Sequence, residues 1–123
     1  MPARVEFDPT DNLVTLDLHG RIDLADATRI LDEIMARPDI RSPNGLIDTD
    51  GLTGLDLVAQ DIRQIAEFAE RADAVWAGGR WAVVAPRDLV YGMARMYQLI
   101  RSGAPYEIEV FRTREDAHRW LAR

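Results

Sequence analysis

The sequence predicts an α/β domain built on a mixed, mostly parallel five-stranded sheet with an N-terminal antiparallel hairpin, in the order β-β-α-β-α-β-α-β-α. Three observations carry that expectation. Two short stretches of alternating hydrophobicity open the chain on either side of a cluster of turn formers. Three later apolar runs alternate with segments whose apolar residues recur at helical spacing. Strand–helix–strand successions of that kind imply parallel pairing through right-handed crossovers.

Each element has its own signal. Val5 and Phe7 alternate with polar neighbours, as do Val14, Leu16 and Leu18, and Asp8-Pro9-Thr10-Asp11-Asn12 between them supplies the turn. After Gly20 the period changes. Ala27, Ile30, Leu31, Ile34 and Met35 mark a first helix, with Asp23 as N-cap, Asp26 three residues on, and Pro38 beyond its end. Gly45-Leu46-Ile47-Asp48 reads as a short buried strand, and Thr49 to Leu55, with two glycines, as a loop. That loop feeds a helix from about Asp56 to Ala72 with a core stripe of Val58, Ile62, Ile65, Ala66 and Ala69. Trp81 to Ala85, after Gly78-Gly79, reads as a central strand covered on both faces. Asp88 is placed to cap a third helix running to about Ser102 and carrying Leu89, Val90, Met93, Ala94, Tyr97 and Ile100. Tyr106 to Phe111 forms the last strand, and Thr113 with Asp116 opens a final helix ending in Trp120-Leu121.

Composition narrows function by exclusion. The 123 residues fit one domain, residues 1–123, with 47% hydrophobic and 29% charged residues, an ordinary globular balance. There is no cysteine, which removes disulfides, thiolate metal sites and cysteine nucleophiles. All fifteen basic residues are arginine, so Schiff-base and Walker lysines are also absent. The net charge of −6 would repel a phosphate backbone, so no nucleic acid partner is expected. No apolar run approaches the roughly 18 residues of a membrane span, and the first residues lack a secretory pattern, so a cytoplasmic location is expected. No cofactor or metal is called for.

Two segments could carry function. Asp48-Thr49-Asp50-Gly51 stands at the carboxyl end of a strand, where open α/β sheets place ligands. It is similar to the start of the nucleophile motif of haloacid-dehalogenase-type phosphatases, but Leu52 replaces the expected Thr or Val and the required lysine is missing. A calcium loop fails too, because Leu52 and Thr53 fall where an oxygen ligand and a glycine are needed. A solvated turn leading to a helix cap is the plainer reading. The second segment runs from Arg87 to Tyr97. Arg87 precedes a helix start that can hold an anion. Gly92 inside the helix marks a close approach by another backbone, a ligand or a partner, with Tyr91 and Arg95 beside it. Helix-on-sheet packing with an exposed arginine is the alternative. His19 and His118 belong to no base–nucleophile pair, and Trp76, Trp81 and Trp120 read as core or core-rim residues, with a pocket lining or a dimer contact as the alternative for Trp76.

The hairpin, Leu46-Ile47-Asp48 leading through Gly51 and Leu55-Asp56 into a helix, Val83-Val84-Ala85-Pro86, the Tyr91 to Tyr97 run, and Val110-Phe111 before Ala117-x-x-Trp120-Leu121 together resemble the STAS-like proteins. These are relatives of anti-sigma-factor antagonists with some likeness to lipid-exchange domains. The resemblance implies a non-enzymatic domain that binds partner proteins or small molecules; as a regulatory module it is also expected to self-associate, a homodimer being one form. In the antagonists, a serine follows the aspartate at the start of the helix after the third strand, and its phosphorylation adds about −1.5 to −2 charge. Here Asp56 matches that aspartate and Leu57 follows it, so the phosphoswitch is lost. The expected function is a STAS-like regulatory module acting through Asp48, Asp50, Asp56 and Leu57, together with Arg87, Tyr91, Gly92 and Arg95. The alternative is a carrier for a small apolar or anionic ligand held between the third helix and the sheet by Arg95, Tyr91 and Met93.

Overall fold

The alternating stretches on either side of Pro9 to Asn12 fold into a hairpin. Its strands β1 (Ala3–Asp8) and β2 (Leu13–Asp23) pair antiparallel, with Ala3 opposite Leu18 and Asp8 opposite Leu13. The computed structural model describes residues 2–123. The chain continues through α1 (Leu24–Met35), β3 (Asn44–Asp56), α2 (Ala59–Ala69), a 3-10 turn (Glu70–Ala72), the short α3 (Asp73–Trp76), β4 (Arg80–Val84), α4 (Asp88–Ile100), β5 (Glu107–Phe111) and α5 (Arg114–Leu121). The five strands form one sheet in the order β1-β2-β3-β4-β5, antiparallel only in the hairpin. The expected class and mixed sheet are what the chain adopts.

The sheet separates two apolar layers. On one face, Val14, Leu16 and Leu18 of β2 pack with Ile30 and Ile34 of α1, and this layer extends to Trp76, Trp81 and Tyr106. Ile30 and Ile34 are almost wholly buried, which stabilises the fold by roughly 1.5–3 kcal/mol for each side chain. On the other face Leu46, Ala82 and Val84 meet Ala117, Phe111, Trp120 and Leu121 under α5. Gly45 makes room for the first layer, because a Cβ there would meet the Trp81 ring at 2.1 Å.

Apart from the short α3, which holds Trp76 where a loop is expected, the boundaries that differ most from the sequence reading lie between β2 and α2. Thr49 to Leu55 is no loop: β3 runs on to Asp56, alongside a β2 that itself extends to Asp23, with His19 opposite Gly51 and Ile22 opposite Leu55. The ladder tolerates two register shifts there, where β3 carries extra residues as bulges. Gly51 is required by one of them, since a Cβ would lie 2.7 Å from the Leu18 carbonyl oxygen. Helix α2 therefore starts at Ala59 and not near Asp56, and Val58, expected in its core stripe, is its exposed N-cap.

Candidate functional site

At the carboxyl ends of β3 and β4 the acidic and basic side chains are largely spoken for by one another. Asp48 shares a sheet face with Leu46, two residues earlier, and lies buried against the start of α5. There Arg114 Nη1 donates to Asp48 Oδ2 at 2.9 Å and to Asp17 Oδ1 at 3.0 Å. The other Asp48 oxygen accepts the Asp50 backbone N–H at 2.9 Å. Burial works against the Arg114 charge, yet its bonds to Asp17 and Asp48 outweigh that and raise its pKa. Neighbouring Thr49 is buried and donates its hydroxyl to the Val84 carbonyl at 2.7 Å.

The same pattern surrounds the other expected residues. Asp56 binds Arg21 through both carboxylate oxygens, and that pairing holds the Asp56 carboxyl below its usual range. Arg87, the N-cap of α4, donates to the Asp50 carbonyl oxygen at 2.8 Å, so its charge ties β3 to α4. Asp88 does not cap α4 with its side chain. It accepts from Arg112 at 2.8 Å, and the same guanidinium lies 4.0 Å from the centre of the Tyr91 ring. Arg95 is exposed and bonds to Gln98 within its own helix. Gly92 is exposed, and a Cβ there would have nothing within 4 Å, so the expected close approach to its backbone does not occur within the chain. Among the described residues no three His, Cys, Asp or Glu side chains are grouped to hold a metal ion.

A second feature lies on the opposite sheet face. Between α1, α2, α4 and the strands is a cavity of about 180 Å³, with Leu16, Ile47 and Val83 below and Val90, Met93 and Ala94 above. Among its lining side chains only Thr49 and Tyr97 carry polar atoms. The Thr49 hydroxyl is committed to Val84, and burial, foremost among several causes, raises the Tyr97 pKa so that the phenol stays neutral. An apolar recess of this size, open at its mouth, can accept a benzene-sized guest. Leu57 lines this chamber, as does Met93, whereas Tyr91 and Arg95 do not. The apolar surface of α4 is only partly used: no residue of the helix is fully buried, and Leu89, Leu99 and Ile100 are exposed.

Sequence reasoning singled out Asp48, Asp50, Asp56 and Arg87 but did not identify the partners that the fold gives them. Asp17 and Arg114 stand 97 residues apart in sequence. No local motif announces such a pair, although a lone arginine directly after the Thr113 cap was a usable hint.

No protein-family model matches the chain. No curated protein matches it in sequence either. Solved structures do. One is the crystal structure of an uncharacterized protein of the DUF3478 family with a SpoIIAA-like fold from Shewanella loihica PV-4, 22% identical, with a TM-score of 0.59 over 97% of this chain and 91% of that one. Another is an anti-sigma factor antagonist from Mycobacterium paratuberculosis, 17% identical, with a TM-score of 0.59 over 98% of this chain and 93% of that one. The chain has this STAS-like, SpoIIAA-like fold.

Proposed function

We propose that the chain is a non-enzymatic regulatory module that recognises a partner protein through the rim formed by the starts of α2 and α4. The observation that supports this reading most is the exposure of Val58 (63%) and Leu89 (64%). Each stands at the start of a helix that follows a parallel strand, Val58 after β3, which runs on to Asp56 past its last pairing with β4 at Asp48, and Leu89 after β4. The charges beside them, Asp56 and Asp88, already have arginine partners within the chain. Such a rim recognises by shape and apolar contact, the usual meaning of large exposed apolar groups. The similarity in fold to a protein described as an anti-sigma factor antagonist supports the same reading. With Leu57 in place of a phosphorylatable serine, recognition does not depend on phosphorylation.

The test is affinity capture from host lysate with the wild type and with the Val58→Asp, Leu89→Asp double variant as baits. The expected result is a protein retained by the wild type and lost by the variant at equal melting temperature. Identical retention by both baits contradicts the proposal.

A second reading, a carrier of a small apolar ligand, is favoured by the chamber under α4. Its lining suits a hydrocarbon or aromatic group and offers almost nothing to an anion. Native mass spectrometry of the purified protein would reveal a retained molecule. Ala94→Phe, which fills the space, should abolish its retention, and a wild-type mass equal to that of the bare chain removes this reading.

A further inference from the structure

The two edges of the sheet are treated differently. At β5, Gln98 Nε2 of α4 donates to the Ile108 carbonyl oxygen at 2.7 Å and covers part of that edge. At β1, among the described residues, there is no neighbour beyond the strand. The outward backbone groups of β1 can be identified from its pairing. His19 N–H donates to the Pro2 carbonyl and Asn44 N–H to the Asn12 carbonyl, so even-numbered β1 residues turn their backbone groups toward β2 and even-numbered β2 residues toward β3. Antiparallel ladders alternate strictly. The N–H and C=O groups of Ala3, Val5 and Phe7 therefore point away from the sheet, and Pro2 lacks its N–H on the β2 side, where it does not obstruct the edge.

The side chains along this edge have a symmetry of their own. Arg4 and Glu6 flank Val5 on the exposed sheet face, paired with one another at 2.5 Å but with side chains 73% and 55% exposed, so the pairing can be exchanged for one across a strand edge. Ala3, Val5 and Phe7 point to the apolar layer shared with α1. If two β1 strands run antiparallel about Val5, residue 4 meets residue 6 of the second copy, and residue 3 meets residue 7. Both Arg–Glu pairs are then complementary at once. The central Val5 pair is of the hydrogen-bonded kind, as is each Ala3–Phe7 pair, so every outward backbone group of these three residues gains a partner. The Arg4–Glu6 pairs fall at the non-hydrogen-bonded positions, where facing side chains approach most closely. Edges that avoid pairing carry inward charges, bulges, outward-facing proline or repelling charges; β1 has no bulge, outward proline or inward charge, and its Arg4 and Glu6 are of opposite sign, so a second β1 run antiparallel is attracted and not repelled.

The geometry points to β1 as an isologous docking edge for a second copy of this chain, joining two sheets antiparallel about Val5. This is independent of the recognition rim at the starts of α2 and α4. The test uses sedimentation velocity of the full chain over a concentration series, with circular dichroism to verify the fold of each variant. Arg4→Glu alone and Glu6→Arg alone each place like charges opposite one another in both symmetry-related pairs, so each should weaken the dimer by about tenfold or more. The double variant, Arg4→Glu with Glu6→Arg, restores complementarity and should return to within about threefold of the wild type. Val5→Pro removes an outward N–H without removing a bond to β2, and should leave a folded monomer. A wild type that stays monomeric, a dimer indifferent to the single reversals, or a double variant no better than the singles would each overturn the assignment. A monomer whose β1 edge instead pairs with a foreign peptide would do the same.

Discussion

Helices α1 and α4 lie on the same side of the sheet and have nearly equal lengths, 12 and 13 residues, yet they are held in opposite ways. Helix α1 is fixed by burial and by its own start. Ile30 and Ile34 are core residues, and Asp23 and Asp26 form a reciprocal capping box with bonds of 2.8 and 3.1 Å. Helix α4 has no side-chain cap and no fully buried residue. Polar clips hold it instead: Arg112 to Asp88 at its start, Gln98 to the Ile108 carbonyl near its end, and Arg101 just beyond, bonded to Asp73 and to the Tyr106 hydroxyl. An amphipathic pattern can be satisfied by docking into a core or by spanning a chamber. The second arrangement leaves apolar surface on both sides of the helix, one facing a cavity and one facing outward.

The largest effect that would sharpen this contrast is a core truncation. Ile34→Ala should cost about 2–5 kcal/mol in urea unfolding, whereas Leu99→Ala on exposed α4 should stay within about 0.5 kcal/mol. Equal losses would erase the distinction. Next comes the clip at the end of α4. Arg101 is 7% exposed, and although burial opposes its charge, Tyr106 and Asp73 together keep its pKa raised. Arg101→Ala should cost about 2–3 kcal/mol, because a partly buried carboxylate loses its counter-charge. A change below about 0.5 kcal/mol would mean that α4 is held by packing after all. Arg114→Ala, at the other face, should cost about 1–2 kcal/mol by leaving Asp48 buried with only the Asp50 N–H. A neutral result in the same urea titration would show that the Asp17–Arg114–Asp48 cluster does not hold the strand ends together.

Acid has the smallest effect and acts on the α1 side. Asp26 has its pKa lowered, first by the Asp23 backbone N–H and then by Arg29, and Asp56 has its own lowered by Arg21. A carboxylate whose folded pKa is depressed contributes stability above its unfolded value of about 4 and loses it as pH falls through the folded value. The urea midpoint should therefore be flat from pH 7 to about pH 5 and decline below about pH 4. A midpoint that rises on acidification would contradict these pairings.

Much of this was legible in the chain. The hairpin, the Asp23 cap with Asp26, and the Thr113 cap, whose Oγ1 accepts the Asp116 N–H at 3.2 Å, follow from local chemistry that needs no distant partner. What could not be read was decided by distant partners. Gly51 and Gly54 carry the signature of a turn, but pairing with β2 turns that segment into a bulged strand. The periodicity of Val58 and Leu89 suits a core stripe, while the tertiary arrangement leaves both exposed. Gly92 signals a close neighbour by its helix cost, and within the chain that neighbour is missing. The residues binding Asp48 come from β2 and from the start of α5, and only the folded sheet brings them together.

The contrast between the two helices, and with it the carrier reading, depends on α4 being the loosely seated helix of this layer, with its apolar surfaces available on both sides. Amide hydrogen exchange resolved to single residues in the free protein tests this most directly. Amides of Tyr91 to Gln98 should exchange by local opening, at least about a hundredfold faster than those of Thr28 to Ile34, whose exchange should follow global unfolding. Equal protection of the two helices would contradict the account, because α4 would then be docked as firmly as α1.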